Sequence, residues 1–349
     1  MTRGSAAALV LLISIITLTA TISAHAPEFP QGNDGLDQAT EIEDPTKSWA
    51  LYSQLQEGGD ANYYLLRMEQ GENITLSLTA PQISTERGFR PSMALMGPGI
   101  EDEGSPPSFL QVPDGVGVKV VTGEQPSAME YEPFSPSAFY EMGELSLEAP
   151  QDGDYYLAVY DGAAGGNYGL AVGLRESFTA EEWLLVPFSA ISIYQWEGQD
   201  LAAVLAPPVV AFLVGLAIML IASRRNRPRD VLWIMATSAG LLMAASGVSL
   251  LYQMLWSLAQ TGSEVVAVVT IIFAAAVLAL GIAACRIALR DRSPDGVPMR
   301  TRVALLAIGA LGLLLWGGWI VGPAIAILAA LLPSGALALG LGQSVRLAH

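Results

Sequence analysis

Residues 201–230 read LAAVLAPPVVAFLVGLAIMLIASRRNRPRD, and this stretch divides the chain into two unlike regions. Its first 23 residues carry no ionisable side chain, and Arg224, Arg225, Arg227 and Arg229 follow at once. A bilayer core about 30 Å thick is crossed by about 20 apolar residues rising about 1.5 Å each, so 201–223 is expected to span a membrane as a helix. Arginines flanking a span favour the cytoplasmic side, which marks this end as the inner one. The chain before the span is acidic, with the alternation of β-strands. Beyond it the chain is mostly apolar again.

Charge follows the same division. The 349 residues are 52% hydrophobic, with a mean hydropathy of +0.43. Residues 26–200 hold 29 Asp and Glu against 6 Lys and Arg, a net of −23, while the rest of the chain carries +7. A surface this negative repels nucleic acid and anionic lipid and favours cations and basic partners, so no nucleic-acid partner is expected. The one cysteine, Cys285, falls in an apolar run, which leaves the acidic region without disulfides or thiolate metal ligands. That region is long enough to bury a core without such staples.

At the N-terminus, residues 1–24 combine Arg3, an apolar run over 6–16 and small residues before His25. They read as a signal peptide cleaved after Ala24, with an uncleaved signal anchor as the alternative. Cleavage would expose His25 as a terminal residue, but a copper brace needs a second histidine, and the other one is His349 at the far end. Residues 25–46 are polar and rich in Gly and Pro, hence a linker. Over 47–175 short runs alternate apolar and polar, at 49–55, 61–68, 73–79, 92–96, 144–148, 154–160 and 168–172. In NITLSLT (73–79), Ile74, Leu76 and Leu78 share one face. Gly-rich turns separate the runs. The expected fold is an exported all-β sandwich followed by an α-helical membrane bundle of five spans.

Three segments carry a family resemblance. They are YYLLRMEQGENITLSL (63–78), SMALMGP (92–98) and LSLEAPQDGDYYLAVYDGAAGGNYGLAV (145–172). Together they resemble the bacterial pre-peptidase C-terminal (PPC) domains and their jelly-roll relatives, over about residues 45–175. The resemblance implies a jelly-roll sandwich acting as an accessory module that binds, anchors or assists rather than catalyses. Some relatives bind calcium, and Asp152, Asp154 and Asp161 sit near the comparable turn. Calcium takes six to eight oxygen ligands.

The chain departs from the family at an insertion, 100–143. It contains EYEPFSPSAFYE at 130–141, where Tyr131, Phe134, Phe139 and Tyr140 stand among Glu130, Glu132 and Glu141. Aromatic faces with carboxylates between them suit a cationic or sugar-like group, and this is the candidate ligand-binding site. The alternative is that these aromatics cover one end of the sandwich or dock it on the membrane half. Asn73-Ile74-Thr75 is a glycosylation sequon.

Residues 176–200 are expected to form an interfacial collar. Thr179 and Glu182 make a capping box, so a short helix is expected from Ala180 to just before Pro187. Trp183, Tyr194 and Trp196 suit the headgroup level. Further spans are expected at 231–256, 265–288, 303–320 and 323–345, the last two as a hairpin turning at Gly322-Pro323. The loops at 257–263 and 317–323 lack charge, while arginines cluster at 286–302 and recur at Arg346. This alternation places the acidic region outside the plasma membrane and the C-terminus inside. Ala236, Gly240 and Ala244, and likewise Ala336, Gly340 and Ser344, give small faces for close helix packing.

The span interiors lack acids, bases and histidines, so ion transport and bis-histidine haem are not expected. No catalytic constellation is present. The expected role is a membrane-anchored extracytoplasmic binding or assembly module, such as an accessory subunit of an envelope complex, with the bilayer and a membrane or envelope protein as partners. The alternative is a transporter or flippase-like protein for an uncharged or lipidic substrate, with a receptor ectodomain.

Overall fold

The computed structural model describes residues 25–223, 230–290 and 296–337. The expected signal peptide, the arginines at 224, 225, 227, 229, 292 and 346, and 338–349 with Gly340, Ser344 and His349 lie outside the described residues. The chain forms two compact units. The first takes residues up to 79, then 88–124 and 142–179; the second takes 80–87, 125–141 and the chain from 180 on.

The β region contains β1 (Ala26–Glu28), β2 (Thr40–Ile42), β3 (Trp49–Leu55), β4 (Ala61–Met68), β5 (Asn73–Ala80), β6 (Ser92–Gly97), β7 (Gly117–Val121), β8 (Glu130–Glu132), β9 (Ser137–Glu148), β10 (Gly153–Tyr160) and β11 (Gly166–Val172). One sheet has the order β1-β3-β11-β5-β9-β8 and the other β2-β4-β10-β6-β7. β5 shows why the sequence pattern reads so cleanly. Ile74, Leu76 and Leu78 are buried while the residues between them are not. They join Leu51, Leu66, Leu157 and Leu170 in the core of the sandwich.

A polar link runs through that core. Tyr64 and Tyr168 share a hydroxyl hydrogen bond of 2.7 Å, and Asn62 Nδ2 donates to the Tyr168 hydroxyl over 2.8 Å. The second sheet also buries its other face, where Tyr63, Met96, Val118 and Tyr160 pack under Leu110 and Leu36.

The seven expected strands are present. The segment 25–46, expected as a linker, instead supplies two strands: β1 pairs parallel with β3, and β2 parallel with β4. Within the expected insertion, β7 extends the second sheet beside β6.

The second unit contains α1 (Gln82–Thr85), α2 (Ala180–Trp196), α3 (Leu201–Ser223), α4 (Val231–Thr261), α5 (Ala267–Ala288), α6 (Met299–Leu314), α7 (Val321–Leu331) and α8 (Ser334–Leu337). Among the described residues three helices, α3, α4 and α5, are long and apolar enough to cross a membrane. Asp230 caps α4, its Oδ1 accepting from Trp233 N at 2.7 Å. At 31 residues α4 is about 46 Å long, more than a bilayer core requires.

The expected fourth and fifth spans are corrected. α6 has 16 residues and α7 has 11, both short of the roughly 20 a span needs. The apolar run 303–320 is broken because Trp316, Gly318, Trp319 and Ile320 all take positive φ and turn the chain back. α7 stops at Leu332, which is extended (ψ 143°) as the residue before Pro333. α6 and α7 do pair as a hairpin, with Gly309 and Gly312 against Pro323, but the turn is at Gly317–Trp319. Arg302 Nη1 donates to Ala330 O over 2.7 Å, satisfying a carbonyl in the last turn of α7.

The collar also differs from expectation. α2 does not stop before Pro187 but runs on to Trp196.

Candidate functional site

Residues 125–141, which include the expected ligand-binding segment, fold as part of the helical unit. β8 and the start of β9 form a hairpin in which Glu130 lies opposite Phe139, Tyr131 opposite Ala138 and Glu132 opposite Ser137. Directly opposed residues share a face, and faces alternate along a strand. The register therefore puts Glu130, Glu132, Phe139 and Glu141 on one face, and Tyr131 and Tyr140 on the other.

The Tyr131 face is turned to the helices. Tyr131 is buried against Met254 and Ala267, with Leu251 and Leu258 beside it. Its hydroxyl lies 2.7 Å from Thr270 Oγ1, which itself donates to Pro133 O over 2.6 Å, so Tyr131 is the donor of the pair. Phe134, in the turn, meets Phe273 edge to face with centroids 5.5 Å apart. These two aromatics dock the hairpin on α4 and α5.

The other face keeps Glu130 exposed and Phe139 and Glu141 half-buried. Glu132 is half-buried as a residue, but its carboxyl is enclosed, and desolvation pushes it up to about 7 despite a 2.9 Å hydrogen bond from Phe134 N.

Three further residues, Glu197, Gln199 and Gln253, meet at this end of the helical unit. Glu197 Oε1 accepts from Ala138 N at 2.6 Å, tying the hairpin to the α2–α3 link. Gln199 Nε2 donates to Gln253 Oε1 at 2.8 Å and reaches Glu197 Oε2 at 3.3 Å. Ser257 lies one turn beyond Gln253 on α4 and is fully buried. Burial pushes the Glu197 carboxyl up to about 8. Gly198 makes the link feasible. Its φ of 96° suits glycine, and a Cβ there would lie 2.7 Å from Ile83.

In the first unit, Asp161 is buried, with Oδ2 accepting from Arg90 N and Oδ1 from Ala163 N and Ala164 N. Asp152 Oδ1 accepts from Gln70 N at 2.6 Å, and Asp154 lies 3.7 Å from Arg67 Nε. Asp152 and Asp161 thus brace the β4–β5 and β10–β11 turns, while Asp154 is exposed on β10 beside Arg67. Among the described residues, no group of three or more His, Cys, Asp or Glu side chains is placed to hold a metal ion. Asn73 is exposed at the start of β5. His25 bonds to Ser48 Oγ through Nδ1 at 2.6 Å, and burial holds its pKa below the usual histidine value.

No family model and no curated protein matches the sequence. Among solved structures, the chain is similar to the pre-peptidase C-terminal domain of a collagenase from Bacillus anthracis. The identity is 18%, over 38% of this chain and 91% of that one, with a TM-score of 0.22.

Neither Glu197 nor Gln199 stands out in the sequence, because a polar triplet between two apolar runs reads as a surface turn. Gln253 is visible as a polar residue in an apolar run, but its partner is 54 positions away.

Proposed function

We propose that this chain is a membrane-anchored binding or assembly module, with its PPC-like jelly-roll sandwich outside the cytoplasm, serving as an accessory subunit of an envelope complex. The observation that carries this reading is the hairpin 130–141. A segment that leaves the β region and returns to it is folded into the helical unit through Tyr131, Phe134 and Glu197. The chain passes between the two units at five points, not at a single linker.

The sidedness has its own support. The hairpin meets α5 at Thr270, near its start, while Arg286 closes its other end. The helix is 22 residues long, about 33 Å, enough to put the two on opposite sides of a bilayer. The arginines at 286–302 are then cytoplasmic and the hairpin is not.

The test is purification of the full chain from native membranes in mild detergent, with protease treatment of intact cells alongside. The module reading expects specific membrane proteins in stoichiometric amounts and cleavage confined to the β unit. Recovery as a lone chain whose proteoliposomes move a neutral or lipidic solute would favour the transporter alternative.

A further inference from the structure

We propose that Glu197, Gln199, Gln253 and Ser257 form an internal binding site for water within the helical unit. All four are buried, with Gln253 and Ser257 at 0% exposure. After the bonds between them are counted, Gln199 Oε1, Gln253 Nε2 and Ser257 Oγ have no hydrogen-bond partner in the chain. Native proteins pair nearly all such groups, either with protein atoms or with ordered water. Gln253 and Ser257 stand four residues apart, on one face of α4.

The chemistry of the unmet atoms selects the occupant. They comprise one carbonyl acceptor, one amide donor and one hydroxyl that can do either. Water both donates and accepts, and a buried water commonly makes about three hydrogen bonds. Exchanging O and N in both amides leaves the same complement, because one then offers its NH2 group and the other its carbonyl. A sodium or potassium ion would face the amide N–H, and an anion would face the carbonyl and the Glu197 carboxyl. Neither fits.

The rest of the cluster agrees with this assignment. Both Glu197 oxygens are already engaged, Oε1 by Ala138 N and Oε2 by Gln199 Nε2, so the unmet atoms are those of the two glutamines and Ser257. Farther along the same face of α4, Ser246 donates to Met243 O and accepts from Gly318 N, at 2.9 and 2.7 Å. Gln253 and Ser257 stand at the end of α4 where the hairpin packs on Met254.

The test is an experimental structure of the full chain in lipid nanodiscs at a resolution that shows ordered water, in sodium chloride and in choline chloride. Density within hydrogen-bond distance of Gln199, Gln253 and Ser257 is expected in both salts, and it should be lost in Gln253→Leu. If that variant does not fold, Ser257→Ala serves, with at least one contact of the density lost. Density present only with sodium, or none while other buried waters are resolved, would overturn the assignment.

Discussion

The indole N–H of Trp316 donates to the carbonyl of Trp183 over 2.9 Å, and that carbonyl is the one Pro187 leaves without a helical donor. In an α-helix the N–H of residue i bonds to the carbonyl of i−4, and proline has none to give. The two indoles pack with centroids 5.6 Å apart. α2 thus passes through its proline because a side chain from the α6–α7 turn supplies the missing donor. Trp316→Phe keeps the packing and removes the donor, and it should cost about 1–3 kcal/mol. In a Pro187→Ala background the helix has its own N–H, so the same substitution should cost well under half as much. A double-mutant cycle of unfolding in mixed micelles measures this coupling, and additive costs would refute it.

The hairpin anchor gives a second test. Tyr131→Phe deletes one hydroxyl and leaves Thr270 bonded to Pro133 O, so a loss of about 1 kcal/mol is expected. Thr270→Val leaves both the Tyr131 hydroxyl and the Pro133 carbonyl without a partner and should cost about twice that or more. Hydrogen exchange of amides in 130–139 should quicken in the order wild type, Tyr131→Phe, Thr270→Val. Equal protection in all three would mean that the hairpin is held by packing alone.

A third prediction concerns pH. Glu197 and Glu132 have carboxyl pKa values raised by burial from 4.5 to about 8 and about 7. Between 4.5 and these values the folded protein holds protons that the unfolded chain has released. Stability therefore falls as pH rises through this window and levels off above about 8. The slope is at most about 1.4 kcal/mol per pH unit for each group. The thermal midpoint should drop between pH 5 and pH 8, and Glu197→Gln should flatten the curve between pH 7 and 8 in particular. The isosteric amide keeps an oxygen for Ala138 N–H, so the variant should fold. An unchanged profile in Glu197→Gln would assign the pH dependence to other groups.

Legibility in the sequence depended on whether a signal was local. The inner strands announced themselves because alternation is set by neighbours, as in Ile74, Leu76 and Leu78. β1 and β2 did not, since three residues pairing at a sheet edge have no period to read. In the sequence Pro187 looks like a stop because its rescuer lies 133 positions away. The aromatic segment 130–141 was conspicuous by composition, but its anchor, Thr270, is 139 positions from Tyr131. Hydropathy alone ran 303–320 together, while the backbone reverses at Trp316–Ile320, where three residues other than glycine take positive φ.

The small-residue face of α4 carries the last prediction. Ala236, Gly240 and Ala244 were expected to let helices approach closely, and the neighbour that approaches is α5. A Cβ on Gly240 would lie 2.6 Å from Gly281 O, and one on Gly281 would lie 2.6 Å from Gly240 O. The two backbones thus meet at reciprocal glycines, with the Cys285 thiol also 2.6 Å from a Cβ on Gly240. Any added methyl must push the helices apart along their length, because Ala236, Ala274 and Ala284 are already fully buried around the contact. Gly281→Ala should cost about 1–3 kcal/mol as an overpacked substitution, and Gly281→Leu more. By contrast, Gly262→Ala, just past the end of α4 with nothing within 4 Å of its Cβ, carries only the strain of its φ of 87°. Thermal stability of the three variants in one detergent checks the order. If Gly281→Leu were as stable as wild type, the α4–α5 contact would have to be looser than this geometry requires.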